Sequence, residues 1–246
     1  MVILMQQYFS ENKENNIIKL NKDDYHHIKV VMRLKDGDNI VCVYNEQKYL
    51  CSLIFDGDEI NAKIVEEIKD DLSSFPKITL IYGMPKNEKF ELVLQKATEL
   101  GVATIVPYLS ARSIIRLEEN KINKKLERWN KIVKEASEQS RRNDIPLITN
   151  PIHMKEIDNY LGDIRIVCDE RMYHEGVSSF NNALKDIKNV QSISLIVGPE
   201  GGFDESEFKY FDSLNIKPVS LGKRILRSET ACIYALSIVE FFKELD

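Results

Sequence analysis

The chain has 246 residues, 43% of them hydrophobic and 30% charged, with a formal net charge of −5. That balance excludes a disordered or fibrous chain and leaves length for one large core or two smaller ones. No apolar run approaches the roughly 18 residues that a membrane span needs, and the opening MVILM is too short and lacks the basic flank and cleavage site of a signal peptide, so a cytoplasmic protein with no membrane partner is expected.

In chain order, Asp24 to Arg33 predicts one short helix, followed by strands at 39–44, 48–55 and 59–68 with turns at Lys35-Asp36-Gly37 and Asp56-Gly57-Asp58. A break at DDLSSFP, 70–76, divides the chain into a small β-rich domain, 1–72, and a larger one, 73–246. Beyond it strands are expected at 78–82, 104–109, 164–168, 192–197 and 217–221. Helical patterns lie between them, clearest in Phe90, Val93, Leu94, Ala97 and Leu100, which share one face by i, i+3, i+4, i+7 spacing. Such alternation implies an α/β domain with a largely parallel sheet, helices on both faces and ligand loops at the carboxyl ends of the strands.

Charge is unevenly spread: residues 1–72 carry 9 basic and 14 acidic side chains, whereas 110–142 hold ten basic and five acidic ones. Arg112, Arg116, Arg141, Arg142 and the lysines between them make a phosphate-binding face if they cluster. For Lys121 to Lys134 a solvated helix is the stronger reading, because Glu127 and Lys131 form an ordinary i,i+4 pair. Cys42, Cys51, Cys168 and Cys232 sit mostly in apolar segments without C-x-x-C spacing, and His26, His27, His153 and His174 show no ligand spacing, so buried thiols and no metal are expected.

Two later segments couple apolar runs to glycine turns: LIVGPEGGF, 195–203, and SLGKRILRSETA, 220–231. In each a strand-like run stops at glycine, which permits positive φ and close backbone approach to a ligand. Ser228 is a candidate N-cap ahead of the stripe Ala231, Tyr234, Ala235, Ile238 and Phe242. A phosphate-binding P-loop is excluded, since no Gly-Lys-Ser/Thr follows, and so is a dinucleotide fingerprint, since its glycine spacing is absent. Gly-Pro and Gly-Gly also punctuate ordinary turns, so these segments by themselves leave a plain loop reading open.

GPEGGF and LGKRILRSETA resemble the signature motifs of the ribosomal small-subunit uracil-N3 methyltransferases, a family of the SPOUT superfamily. The likeness runs along nearly the whole chain, through HHIKVVMRLKDGD at 26–38, KATELGV at 96–102, Ala111-Arg112-Ser113, and Ala136 with Glu138-Gln139-Ser140, Arg142, Ile145 and Pro146. Met5-Gln6-Gln7-Tyr8-Phe9 is similar to the family's opening Met-Gln-Arg-Tyr-Phe but has Gln7 for the arginine, a departure that puts one RNA contact in doubt. The residues before Met5 exceed that opening, so Met1 and Met5 are both candidate starts.

The resemblance implies a SPOUT-like domain with a deep C-terminal trefoil knot, a small N-terminal PUA-like β-barrel associated with RNA binding, and a homodimer. It implies S-adenosylmethionine as cofactor, held by Val197, Gly198, Pro199, Gly201, Gly202, Leu221, Gly222, Ile225, Leu226 and Thr230. The implied substrate is a uridine N3 of 16S ribosomal RNA, free or within the small subunit, with RNA contacts at Arg33, Arg112 and Arg142. Methyl transfer to that nitrogen needs its proton removed or its anion stabilised, and Arg142, Glu200, Arg227 and Glu229 are the catalytic candidates. Glu200 has a second reading as a cap for a helix starting near Asp204, and Glu229 as a favourably placed first-turn acid. The alternatives are a SPOUT ribose 2′-O-methyltransferase and a non-catalytic RNA-binding module.

Overall fold

EINAKIVEEI forms a strand whose first half alternates between a buried and a wetter face, whereas NIVCVY is a continuous apolar run buried on both faces. A computed structural model describes residues 5–57, 59–69, 76–85, 89–112 and 119–244, and the chain divides into two units, Met1–Leu72 with Ser137–Ile145, and Ser73–Ala136 with Pro146–Asp246. The break expected at 70–76 lies almost wholly outside the described residues.

The first unit is a six-stranded sheet of β1 (Gln7–Phe9), β2 (Asn12–Glu14), β3 (Ile17–Lys19), β4 (Asn39–Tyr44), β5 (Gln47–Asp56) and β6 (Glu59–Ile68), in the order β1-β4-β5-β6-β3-β2. Only β1 and β4 run parallel, and a register shift at Leu50/Cys51 bends β5 against β6. Tyr8, Ile18, Ile28, Ile40, Cys42 and Leu53 fill its core. Helix α1 (Lys22–His26) starts two residues before the expected position, because Asn21 and Asp24 form a reciprocal capping box. A π-helical turn, His27–Val31, follows, and the chain leaves it through Arg33 at φ +55°. The three-residue strands β1 to β3 are too short to show a period and were not expected.

The second unit carries β7 (Lys77–Gly83), β8 (Val102–Tyr108), β9 (Leu147–Ile148), β10 (Ile164–Cys168), β11 (Ser192–Val197) and β12 (Lys217–Val219), all parallel in the order β12-β10-β11-β7-β8-β9. Side chains alternate across it: Ile78, Leu80 and Tyr82 face one cluster, and Ile81 faces the other. The first cluster includes residues of α2 (Lys89–Glu99), α3 (Glu119–Ser140), α4 (Ser178–Ala183) and α6 (Ser228–Glu244); the second takes Phe211 from α5 (Glu205–Ser213).

Of the stripe expected on α6, Ala235 lies in the core and Ala231, Ile238 and Phe242 pack partly buried against it, while Tyr234 turns outward. Cys232, Ala235, Leu236 and Val239 are fully buried, whereas Tyr234 is 42% exposed. Helix α6 packs on α2, and its buried face is wider than the expected stripe, taking in Cys232, Leu236 and Val239 as well.

All four cysteines are buried and unpaired. Burial, reinforced by the charge of Asp169, pushes the Cys168 thiol from 9.0 up to about 12. Unfolded chain therefore loses this proton first, so stability falls as pH rises from 9.0 towards about 12. The urea midpoint is expected to decline above that lower value, with iodoacetamide labelling Cys168 only as the chain unfolds. Among the described residues no helix is long and apolar enough to cross a membrane, and no group of His, Cys, Asp and Glu is arranged to hold a metal ion.

Candidate active site

Three adjacent parallel strands, β12, β10 and β11, end at the same edge of the sheet, and the loops that leave them enclose a cavity of about 430 Å³. That is a volume suited to a nucleoside-sized ligand, at the position where open parallel sheets bind them. The loop after β11 contributes Val197, Gly198, Pro199, Glu200 and Gly202; the loop after β12 contributes Leu221, Gly222, Ile225, Leu226 and Arg227. The loop after β10 supplies a third wall of Asp169, Glu170 and Tyr173, which the sequence reading missed although β10 stops at the same edge as its neighbours.

The first glycine loop is a tight turn in which Gly202, at φ +63°, donates its N–H to the Pro199 carbonyl at 2.9 Å. A hydrogen-bond chain anchors it. Ser228 Oγ donates to the Gly198 carbonyl at 2.5 Å, so the Tyr82 hydroxyl, 2.7 Å away, donates to Ser228. Burial keeps Tyr82 protonated well above its ordinary value, although the bond to Ser228 acts in the opposite direction. Ser228 is the first residue of α6 and 7% exposed, so its hydroxyl ties the second loop to the first.

Not every expected residue joins the cavity. Gly201 turns outward, where a Cβ would lie 3.4 Å from that of Arg112, and its carbonyl accepts a bond from Arg112 Nη1 at 3.1 Å. Thr230 is exposed and does not line the cavity. Asp204 itself caps α5 by accepting from Ser206 N at 2.9 Å, which removes the capping role considered for Glu200. Glu207, 1% exposed, completes that capping box and also accepts from the Tyr108 hydroxyl and from Ala111 N, so it orders the turn carrying Arg112.

Glu200 and Glu229 meet at one lysine: Lys89 Nζ lies 3.2 Å from Glu200 Oε1 and 3.5 Å from Glu229 Oε1. Glu229 does not line the cavity, and its buried Oε2 has no hydrogen-bond partner. Lys89→Met is expected to cost about 1 kcal/mol, since Lys89 remains 39% exposed and solvent screens the pair. The double variant with Glu229→Gln should recover most of that in urea titrations; no recovery would mean that the pair is not the source of the loss.

Arg142 belongs to the first unit. Its Nε and Nη2 contact Asp144 at 3.1 and 2.7 Å, and its carbonyl accepts from Gln7 Nε2 at 2.6 Å. Gln7 is 5% exposed, so this position is an internal support for Arg142 and not a surface contact. Arg33 is exposed, and Ser113 and Arg116 lie outside the described residues.

Known proteins decide what such a cavity belongs to. An RNA methyltransferase domain model matches residues 73–240, and an RNA methyltransferase PUA domain model matches 20–66. Ribosomal RNA small subunit methyltransferase E of Bacillus subtilis is 33% identical over 98% of this chain and 98% of its own length. Its namesake from Mesomycoplasma hyopneumoniae is 35% identical over 95% of this chain and 98% of its own. The chain belongs to the small-subunit ribosomal RNA methyltransferase E family. A crystal structure of the Neisseria gonorrhoeae member bound to S-adenosylmethionine superposes with a TM-score of 0.84 at 27% identity, covering 96% of this chain and 97% of that one. A mostly antiparallel sheet in the region matched by the PUA model precedes the parallel sheet of the region matched by the methyltransferase model.

Proposed function

We propose that the chain transfers a methyl group from S-adenosylmethionine to N3 of a uridine in 16S ribosomal RNA. The observation that carries this is the cavity at the ends of β10, β11 and β12, where two glycine loops are locked together by Tyr82, Ser228 and the Gly198 carbonyl. The cavity fits the donor by its chemistry: Leu221, Leu226 and Ala231 offer an apolar sleeve for the adenine, while Gly198, Gly202 and Gly222 bring backbone groups close to the sugar. When bound, S-adenosylmethionine supplies an electrophilic methyl group, and the protein's task is alignment and exclusion of water.

Uracil N3 is a weak acid, so its anion must be stabilised. Arg227 lines the cavity and makes no side-chain hydrogen bond or ion pair among the described residues, which leaves its guanidinium for the uracil oxygens. An arginine stays protonated, so it stabilises negative charge and does not take the proton. Glu200, held by Lys89, serves to fix the loop. Arg33, Arg112 and Arg142 are the proposed RNA contacts. A trefoil knot formed as 220–228 passes from the β12 edge back to α6, a homodimer and a cytoplasmic location belong to the same reading.

Nucleoside mass spectrometry of 16S RNA incubated with the protein and S-adenosylmethionine tests it. Formation of 3-methyluridine is expected; a 2′-O-methylated nucleoside or unmodified RNA would refute the assignment.

A further inference from the structure

Three carboxylates line the cavity, and two are already engaged. Asp169, 4% exposed, holds Arg171 with Oδ2 2.7 Å from Nη2, and that guanidinium stacks 3.4 Å over the Phe208 ring. Glu200 meets Lys89 at 3.2 Å. Glu170 is the third, and among the described residues its carboxylate forms no hydrogen bond or ion pair. It stands against the first glycine loop, with Oε1 2.8 Å from where a Cβ on Gly202 would lie. Gly202 at φ +63° thus leaves the space that this carboxylate occupies.

We propose that Glu170 reads the charge that separates the methyl donor from its spent form, and so sets the preference for S-adenosylmethionine over S-adenosylhomocysteine; the inference rests on the cavity being the donor site. The donor carries a sulfonium, an ammonium and a carboxylate, a net charge of about +1 at neutral pH. Transfer of the methyl group leaves the bonding pair on sulfur, and the resulting thioether is neutral, so the product has no net charge. The cavity offers two uncommitted guanidiniums, Arg224 and Arg227, to anionic groups, but only Glu170 to a cation. Filling the cavity displaces water, which strengthens the attraction between this carboxylate and the sulfonium. The same carboxylate contributes nothing to a neutral sulfur, so it favours release of product after turnover.

Calorimetry with the full-length protein tests this without reference to turnover. Glu170→Gln should weaken S-adenosylmethionine roughly tenfold and leave S-adenosylhomocysteine within about twofold, while Glu170→Asp restores part of the preference. Both variants should keep the parent melting temperature, because the side chain is exposed and makes no bond. Equal weakening of both ligands would overturn the proposal by showing that Glu170 meets a group they share, and so would no change in either. Failure of the unsubstituted protein to bind either ligand would instead overturn the donor-site reading on which the proposal rests.

Discussion

Gly83→Ala is expected to weaken S-adenosylmethionine binding roughly 100-fold, a larger effect than any charge change at the cavity rim. Gly83 ends β7, and a Cβ there would lie 2.4 Å from Pro199 Cδ, 2.6 Å from Pro199 N and 3.0 Å from the Gly198 carbonyl carbon. These are backbone and ring atoms with no rotamer to change, so the first glycine loop must move off the strand. That movement draws the Gly198 carbonyl away from Ser228 and loosens the bond that joins the two loops. Overpacking of this kind costs about 3 kcal/mol, and much of it falls on the binding-competent state. Gly162→Ala is the control: its Cβ would meet Ser192 backbone at 2.9 Å, at the opposite ends of β10 and β11 from the cavity. It should lower the melting temperature and leave the dissociation constant of the folded protein nearly unchanged. Equal affinity losses in the two variants would show that Gly83 acts through general stability and not through the loop.

Gly83 also shows how far a sequence can be read. The strands with long alternating or continuous apolar runs, β4 to β8, β10 and β11, were legible because periodicity reports burial directly. The two glycine loops were legible because each follows such a run, and eight of the ten expected cofactor residues line the cavity, Gly201 and Thr230 being the exceptions. Gly83, Lys89 and Glu170 carried no local signal, since each acquires its role from a partner more than 30 residues away: Pro199, Glu229 and Gly202. The width of the buried face of α6 was likewise not legible. Cys232, Leu236 and Val239 are buried beside the expected stripe, in the core that α6 shares with α2. The segment 137–145 is likewise grouped with the first unit through long-range bonds, from Gln7 to the Arg142 carbonyl and from Phe9 N to Glu138 at 3.2 Å.

Those bonds make Arg142 the second test of the proposed reaction. Arg142→Ala is expected to lower kcat/KM for RNA about 100-fold while the dissociation constant of S-adenosylmethionine stays nearly constant, because Arg142 does not line the donor cavity. The guanidinium is 11% exposed and aligned by Asp144 through two nitrogens, a geometry that an ammonium cannot reproduce. Arg142→Lys should therefore recover little of the loss even though the charge is kept. Asp144→Asn retains one acceptor and removes the charge, so it should fall between parent and Arg142→Ala. Gln7→Arg, which places the family's residue in this chain, is expected to lower the melting temperature, since a site only 5% exposed would have to take a longer, charged side chain where the Gln7 amide now donates to the Arg142 carbonyl. A gain in RNA affinity without loss of stability would show instead that position 7 reaches the RNA. An equal fall in RNA turnover and donor binding for Arg142→Ala would remove Arg142 from the RNA side of the reaction.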